Sequence, residues 1–271
     1  LQRRLGSTDS TQEGVNSLRR VDRSPSSSGK HNKKTTDMTS SIHIQNEVVN
    51  LCCCAKCGST SVWQSLFMGI VGVAWNATTQ GDVHGIRNWP PSTRHPETTT
   101  NAPYVWIVRD PVERYVSAWY SKFACCPDGS PCFSDSNDGR AHTLRADRQC
   151  LFFDEFVDAL TEAYQSGTQM PLDRHVRPQH LGCPVPADAT VVVRSTVGDI
   201  GTRLHQANIS LPFPTSLPYS HRSKRWPPIP SSSVARLCPM TTEEYTATQL
   251  PLHSLCVRSE SRGVAHAQSL A

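Results

Sequence analysis

At 271 residues, 37% hydrophobic, with a formal net charge of +4, the chain has material for one good core. No apolar run approaches the roughly 18 residues that cross a bilayer, and no signal-peptide pattern opens the sequence. The positive charge is not interleaved with aromatic residues, so nucleic acid is not expected as a partner.

Residues 1 to about 40 are dominated by serine, threonine, arginine and lysine, with Ser24-Pro25-Ser26-Ser27-Ser28-Gly29 as the clearest flexible stretch. They read as a disordered or stem-like arm, and residues 41–271 as a single catalytic domain. Glu47 to Cys54 is a short apolar run with strand character, and Ser61 to Phe67 can start a helix. Between them, Ala55-Lys56-Cys57-Gly58-Ser59-Thr60 has the composition of an anion cradle. Gly58 lets backbone approach an anion, the first N–H groups of the helix point at it, and Lys56, Ser59 and Thr60 add charge and donors. The order differs from the nucleotide-triphosphate loop, in which lysine directly precedes the hydroxyl residue.

Tyr104-Val105-Trp106-Ile107-Val108 has a buried-strand pattern, and Arg109-Asp110-Pro111 ends it with a polar turn and a proline suited to opening a helix. Arg109 thus sits at the carboxyl end of a strand. Ligands bind outside those ends in open parallel sheets, so Arg109 and Lys56 converge if their strands are neighbours. Arg114, Ser117 and Tyr120, spaced by three, are expected on roughly one helix face.

Lys-x-Gly-Ser-Thr after the first strand, followed by Arg-Asp-Pro-x-x-Arg-x-x-Ser-x-x-Tyr, resembles the sulfotransferases that use 3′-phosphoadenosine 5′-phosphosulfate, particularly the Golgi carbohydrate sulfotransferases. Phe153 to Val157 is similar to the family's next helix, and His175-Val176-Arg177-Pro178-Gln179 with Cys183 to its His-x-x-Pro-Gln segment and nearby cysteine. The resemblance covers about residues 47 to 205. Ala55 stands where the family usually has proline, and Ser195-Thr196 where an acidic residue is expected.

The resemblance implies an α/β fold, three-layer α/β/α with a central parallel sheet and a P-loop-like sulfotransferase topology. It implies that Lys56, Cys57, Gly58, Ser59 and Thr60 bind the 5′-phosphosulfate of the co-substrate, and that Arg109 and Ser117 hold its 3′-phosphate. Arg109 suits that task because its planar fork offers two parallel hydrogen bonds. Lys56 is the choice to stabilise charge growing on the bridging oxygen, with no metal required. His175 and His84 are the two candidates for the general base. The expected partner is a glycan or proteoglycan, the expected location the Golgi lumen, and membrane attachment only through an N-terminal anchor preceding Leu1.

Eleven cysteines leave at least one unpaired within the monomer. Cys125, Cys126, Cys132 and Cys150 lie in an insert near 124–150 that disulfides can staple, with Cys183, Cys238 and Cys256 as further partners, whereas Cys52 to Cys54 read as small buried apolar side chains. Asn76-Ala77-Thr78 and Asn208-Ile209-Ser210 are glycosylation sequons. Trp63 and Trp119 read as core residues, while Trp75, Trp89 and Trp226 are available to stack on sugars. From about Gln206 onward the chain is rich in proline and serine and is expected to be weakly structured. Two alternatives stay open: an atypical nucleotide or small-molecule kinase, and a donor- or glycan-binding protein without catalysis.

Overall fold

In the computed structural model, the described residues are 39–44, 47–81, 89–90, 93, 101–132, 144–167, 173–183, 186, 188–193, 197–209, 211, 213 and 229–257. All belong to one compact unit, Asp37–Ala271. His84, Trp226 and most of the expected N-terminal arm lie outside them.

The chain runs β1 (Thr39–Ile44), β2 (Glu47–Cys53), α1 (Ser59–Val71), α2 (Ala77–Gln80), β3 (Tyr104–Val108), α3 (Pro111–Ala118), a π-helical turn (Trp119–Phe123), α4 (Phe153–Gln165), α5 (Gln179–Gly182), β4 (Thr190–Val193), α6 (Val197–Gln206), α7 (Ser231–Ala235) and α8 (Cys238–Thr248). Among the described residues the four strands are ordered β1-β2-β3-β4. Strand β2 is parallel to β3 with Leu51 opposite Val105, and β3 is parallel to β4 with Trp106 opposite Val191. The expected all-parallel sheet is corrected at its edge, where β1 pairs antiparallel with β2. A two-residue connection, from Ile44 to Glu47, allows only an antiparallel return, because a parallel crossover takes a dozen residues or more. Thr39 and Ser40, assigned by sequence to the arm, belong to that edge strand.

The strand interiors are apolar because both neighbours bury them. Leu51, Val105, Ile107 and Val108 are fully buried, and they share a cluster with Val62, Leu66 and Phe67 of α1 and with Ile200 and Leu204 of α6. Burying each such side chain contributes about 1.5–3 kcal/mol. Trp89 belongs to this cluster too, edge-on to Trp63 at 5.9 Å and to Phe67 at 5.4 Å. It is fully buried and is no sugar platform. Trp75 packs edge-on to Phe67 at 4.8 Å and donates to the Gly81 carbonyl.

A second cluster joins α3, the π-helical turn, α4 and α8 through residues such as Val112, Tyr115, Phe123, Phe156, Leu160 and Tyr245. Helix α4 follows the apolar spacing Phe153, Phe156, Val157, Leu160, and its Glu155 carboxylate accepts the Phe152 N–H at its start. The C-terminal part is therefore not weakly structured throughout. Helices α7 and α8 are ordered against this cluster, and exposed Arg236 beside them pairs with Asp154 and Asp158 of α4.

Ten of the eleven cysteines pair: Cys52–Cys183, Cys54–Cys57, Cys125–Cys150, Cys126–Cys132 and Cys238–Cys256, leaving buried Cys53. The insert is stapled as its composition foretold. The reading of Cys52 and Cys54 as merely apolar is corrected, since strand β2 is bonded through Cys52 to the end of α5.

Candidate active site

The loop after β2 turns on two left-handed residues, Lys56 at φ 68° and Gly58 at φ 82°. Glycine adopts that conformation without strain, whereas Lys56 is held in it by its surroundings. The Cys54–Cys57 disulfide closes the turn, and Cys57 N–H donates to the Cys54 carbonyl at 3.1 Å. Gly58 is the N-cap of α1 and has no side chain to cap it, and no acidic residue occupies the first turn. The positive end of a 13-residue helix dipole therefore lies at Gly58-Ser59-Thr60, with Lys56 adding a full charge. That donor set fits the anionic end of a phosphosulfate. Cys57 is buried in a disulfide, so it offers backbone rather than a thiol.

Strand β3 lies directly beside β2, and it delivers Arg109 to the same end of the sheet. Arg109 donates through Nη1 to the Lys56 carbonyl at 3.3 Å and through Nε to Glu113 at 3.4 Å, with its side chain 25% exposed. The two motifs are thus in contact, 53 residues apart in sequence. Asp110 caps α3 by accepting the Glu113 N–H at 2.9 Å, and Pro111 opens the helix.

Beneath Arg109 is a buried amide. Gln179 at the start of α5 accepts the Arg109 N–H through Oε1 at 3.0 Å and donates through Nε2 to the Arg109 carbonyl at 2.9 Å. Cys57 Sγ and Cys54 Sγ approach the same Oε1 at 2.9 and 3.4 Å. Disulfide sulfurs carry no proton, so these are packing contacts rather than hydrogen bonds. One side chain therefore touches both halves of the site.

A family profile described as the sulfotransferase family matches residues 42–211, which include both motifs and Gln179. The chain belongs to the sulfotransferase family. No curated protein and no solved structure matches it. Membership brings a sulfonate donor and sulfuryl transfer in general.

The remaining expected residues of this sulfotransferase are placed unevenly. Ser117, seven residues into α3, is half-buried, and its carbonyl accepts from Ser121 at 2.9 Å. Arg114 does not share its surroundings. It is fully buried and bonds bidentately to Glu244, through Nε at 3.2 Å and Nη2 at 3.3 Å. Its Nη1 donates to the His175 carbonyl at 3.1 Å. Burial opposes the charge on Arg114, and the adjacent Glu244 carboxylate outweighs it, so the guanidinium is held charged above its ordinary range.

His175 is buried, and its Nδ1 lies 2.5 Å from the Asp173 carboxylate, which also accepts the His175 backbone N–H at 2.9 Å. A carboxylate on Nδ1 fixes the orientation of the ring. Sequence reasoning missed Asp173, Gln179 as a contact residue, Glu244 and Tyr245. Only Gln179 was signalled, inside the His-x-x-Pro-Gln segment.

Among the described residues no helix is long and apolar enough to cross a membrane. Five disulfides are compatible with the secretory lumen.

Proposed function

We propose that this sulfotransferase is a Golgi carbohydrate sulfotransferase with a three-layer, P-loop-like catalytic domain, moving a sulfuryl group from 3′-phosphoadenosine 5′-phosphosulfate to a hydroxyl of a glycan or proteoglycan. The observation that carries the reading is the hydrogen bond from Arg109 to the Lys56 carbonyl. It supports a single site from two anion-binding motifs at the carboxyl ends of adjacent parallel strands.

The reaction is in-line attack of the acceptor oxygen on sulfur, with 3′,5′-adenosine bisphosphate leaving. On this reading the Lys56 to Thr60 turn binds the 5′-phosphosulfate, and Lys56 neutralises charge on the departing oxygen. Arg109 and Ser117 hold the 3′-phosphate. A site that pairs Arg109 with a phosphate discriminates against nucleotides lacking it, because Arg109 is then left poorly paired. His175, oriented by Asp173, and His84 are the proposed general bases. The exposed sequon residues Asn76 and Asn208 are proposed glycosylation sites of a luminal chain with an N-terminal membrane anchor.

Incubation with the 35S-labelled donor and a panel of glycosaminoglycans and N-glycans tests this. Label appearing on a glycan, and lost in Lys56→Ala, supports the reading. Donor binding without turnover on any acceptor points to a binding protein, and preference for ATP points to a kinase.

A further inference from the structure

The matched family region ends at residue 211, yet the Arg109-Asp110 turn is held from beyond it. Helix α8 reaches that turn by two routes, one through Gln179 and one direct. Glu244, 1% exposed, accepts the Gln179 backbone N–H at 3.0 Å, and Gln179 in turn clamps both backbone polar groups of Arg109. Next to it, the Tyr245 hydroxyl donates to Asp110 Oδ2 at 2.7 Å, while Asp110 Oδ1 caps α3. The Cys238–Cys256 disulfide ties the first residue of α8 to the chain that follows it.

We infer that α8 completes the donor site, with Gln179, Glu244 and Tyr245 as positioning residues that aim Arg109 at the 3′-phosphate; the inference rests on the donor reading above. The backbone of Arg109 has no freedom to rotate without breaking two hydrogen bonds to a fully buried amide. A buried amide stays put only if its own backbone is anchored, and Glu244 supplies that anchor while neutralised by Arg114. Tyr245 acts on the next residue of the same turn, so the two contacts are independent in chemistry and common in effect. A long, mobile guanidinium gains selectivity when its stem is fixed, because less freedom is lost on pairing.

The experiment measures affinity for 3′,5′-adenosine bisphosphate and for 5′-AMP in the full chain, and takes the ratio as 3′-phosphate selectivity. Tyr245→Phe keeps the ring and removes one oxygen, and its ratio is expected to fall about fivefold. Gln179→Leu removes both clamp bonds, and its ratio is expected to fall at least about tenfold. Both losses are expected to vanish when the same changes are made in Arg109→Ala, since they act through that residue. A ratio unchanged in Tyr245→Phe and Gln179→Leu, alongside a ratio lost in Arg109→Ala, overturns the positioning role and leaves the donor site standing. Selectivity that survives Arg109→Ala overturns the donor assignment and the positioning role together. Should Gln179→Leu fail to fold, Tyr245→Phe alone decides.

Discussion

The Arg109 guanidinium and the Lys56 carbonyl meet at 3.3 Å, so the loop after β2 and the turn after β3 form one cationic rim. The contact uses the backbone of Lys56 and therefore leaves the direction of its ammonium to the loop, whose left-handed Lys56 and Gly58 fix the turn.

Lys56→Ala is predicted to lower kcat by about 10²–10³-fold, the loss usual when one charge-stabilising donor is removed. Donor affinity should fall much less, since backbone N–H groups of α1 remain. Steady-state kinetics beside donor binding check the split; a loss confined to binding would remove Lys56 from the transition state.

The Arg114–Glu244 pair lies fully out of water, so losing one member is expected to cost more than replacing both. Arg114→Met leaves a buried carboxylate and is expected to cost about 3–5 kcal/mol, while replacing both by apolar residues should cost less. Denaturant midpoints of the two single variants and the double variant measure this. Equal or additive losses would contradict it.

Alkaline pH should unfold the protein through its buried tyrosines. Burial raises Tyr115, Tyr164 and Tyr245 above the ordinary phenol value, helped at Tyr115 and Tyr164 by the Glu244 carboxylate and at Tyr245 by its hydrogen bond to Asp110. The Tyr115 and Tyr164 hydroxyls also bond to each other. The folded state then keeps protons that the unfolded state releases above about pH 10. Stability from these groups is complete below that pH and declines as pH rises past it, by at most about 1.4 kcal/mol per unit per tyrosine. Urea midpoints at pH 9, 10 and 11 test the slope; tyrosinate absorbance from all six tyrosines near pH 10 without loss of stability would contradict it.

Removing the Cys52–Cys183 bond by alanine at both positions should lower stability by about 2–5 kcal/mol, because it closes a 131-residue separation and joins β2 to the end of α5. Thermal melting with and without reductant reads the effect. Reductant should then shift the melting temperature of the variant less than that of the native chain.

The sequence revealed what is periodic or chemically marked. Strands β2 and β3, the Gly58 turn and the Pro111 helix start are local, and each side-chain pattern agrees with its neighbours. The antiparallel edge strand was hidden because Thr39 to Ile44 carries a mixed polar pattern inside a serine- and threonine-rich stretch. Helix α8 was hidden for a related reason. It buries Cys238, Thr241, Glu244, Tyr245 and Thr248, a helical stripe at the right spacing made largely of polar residues, which no hydrophobic period detects. Trp89 carries no local signal of burial, and only tertiary packing against Trp63 and Phe67 puts it inside.

Calorimetric titration with 3′,5′-adenosine bisphosphate tests the central claim most directly, for the native chain and Arg109→Ala, with 5′-AMP as control. The account predicts micromolar binding that needs both the 3′-phosphate and Arg109. Equal affinity for 5′-AMP, or no binding by a folded sample, would contradict it.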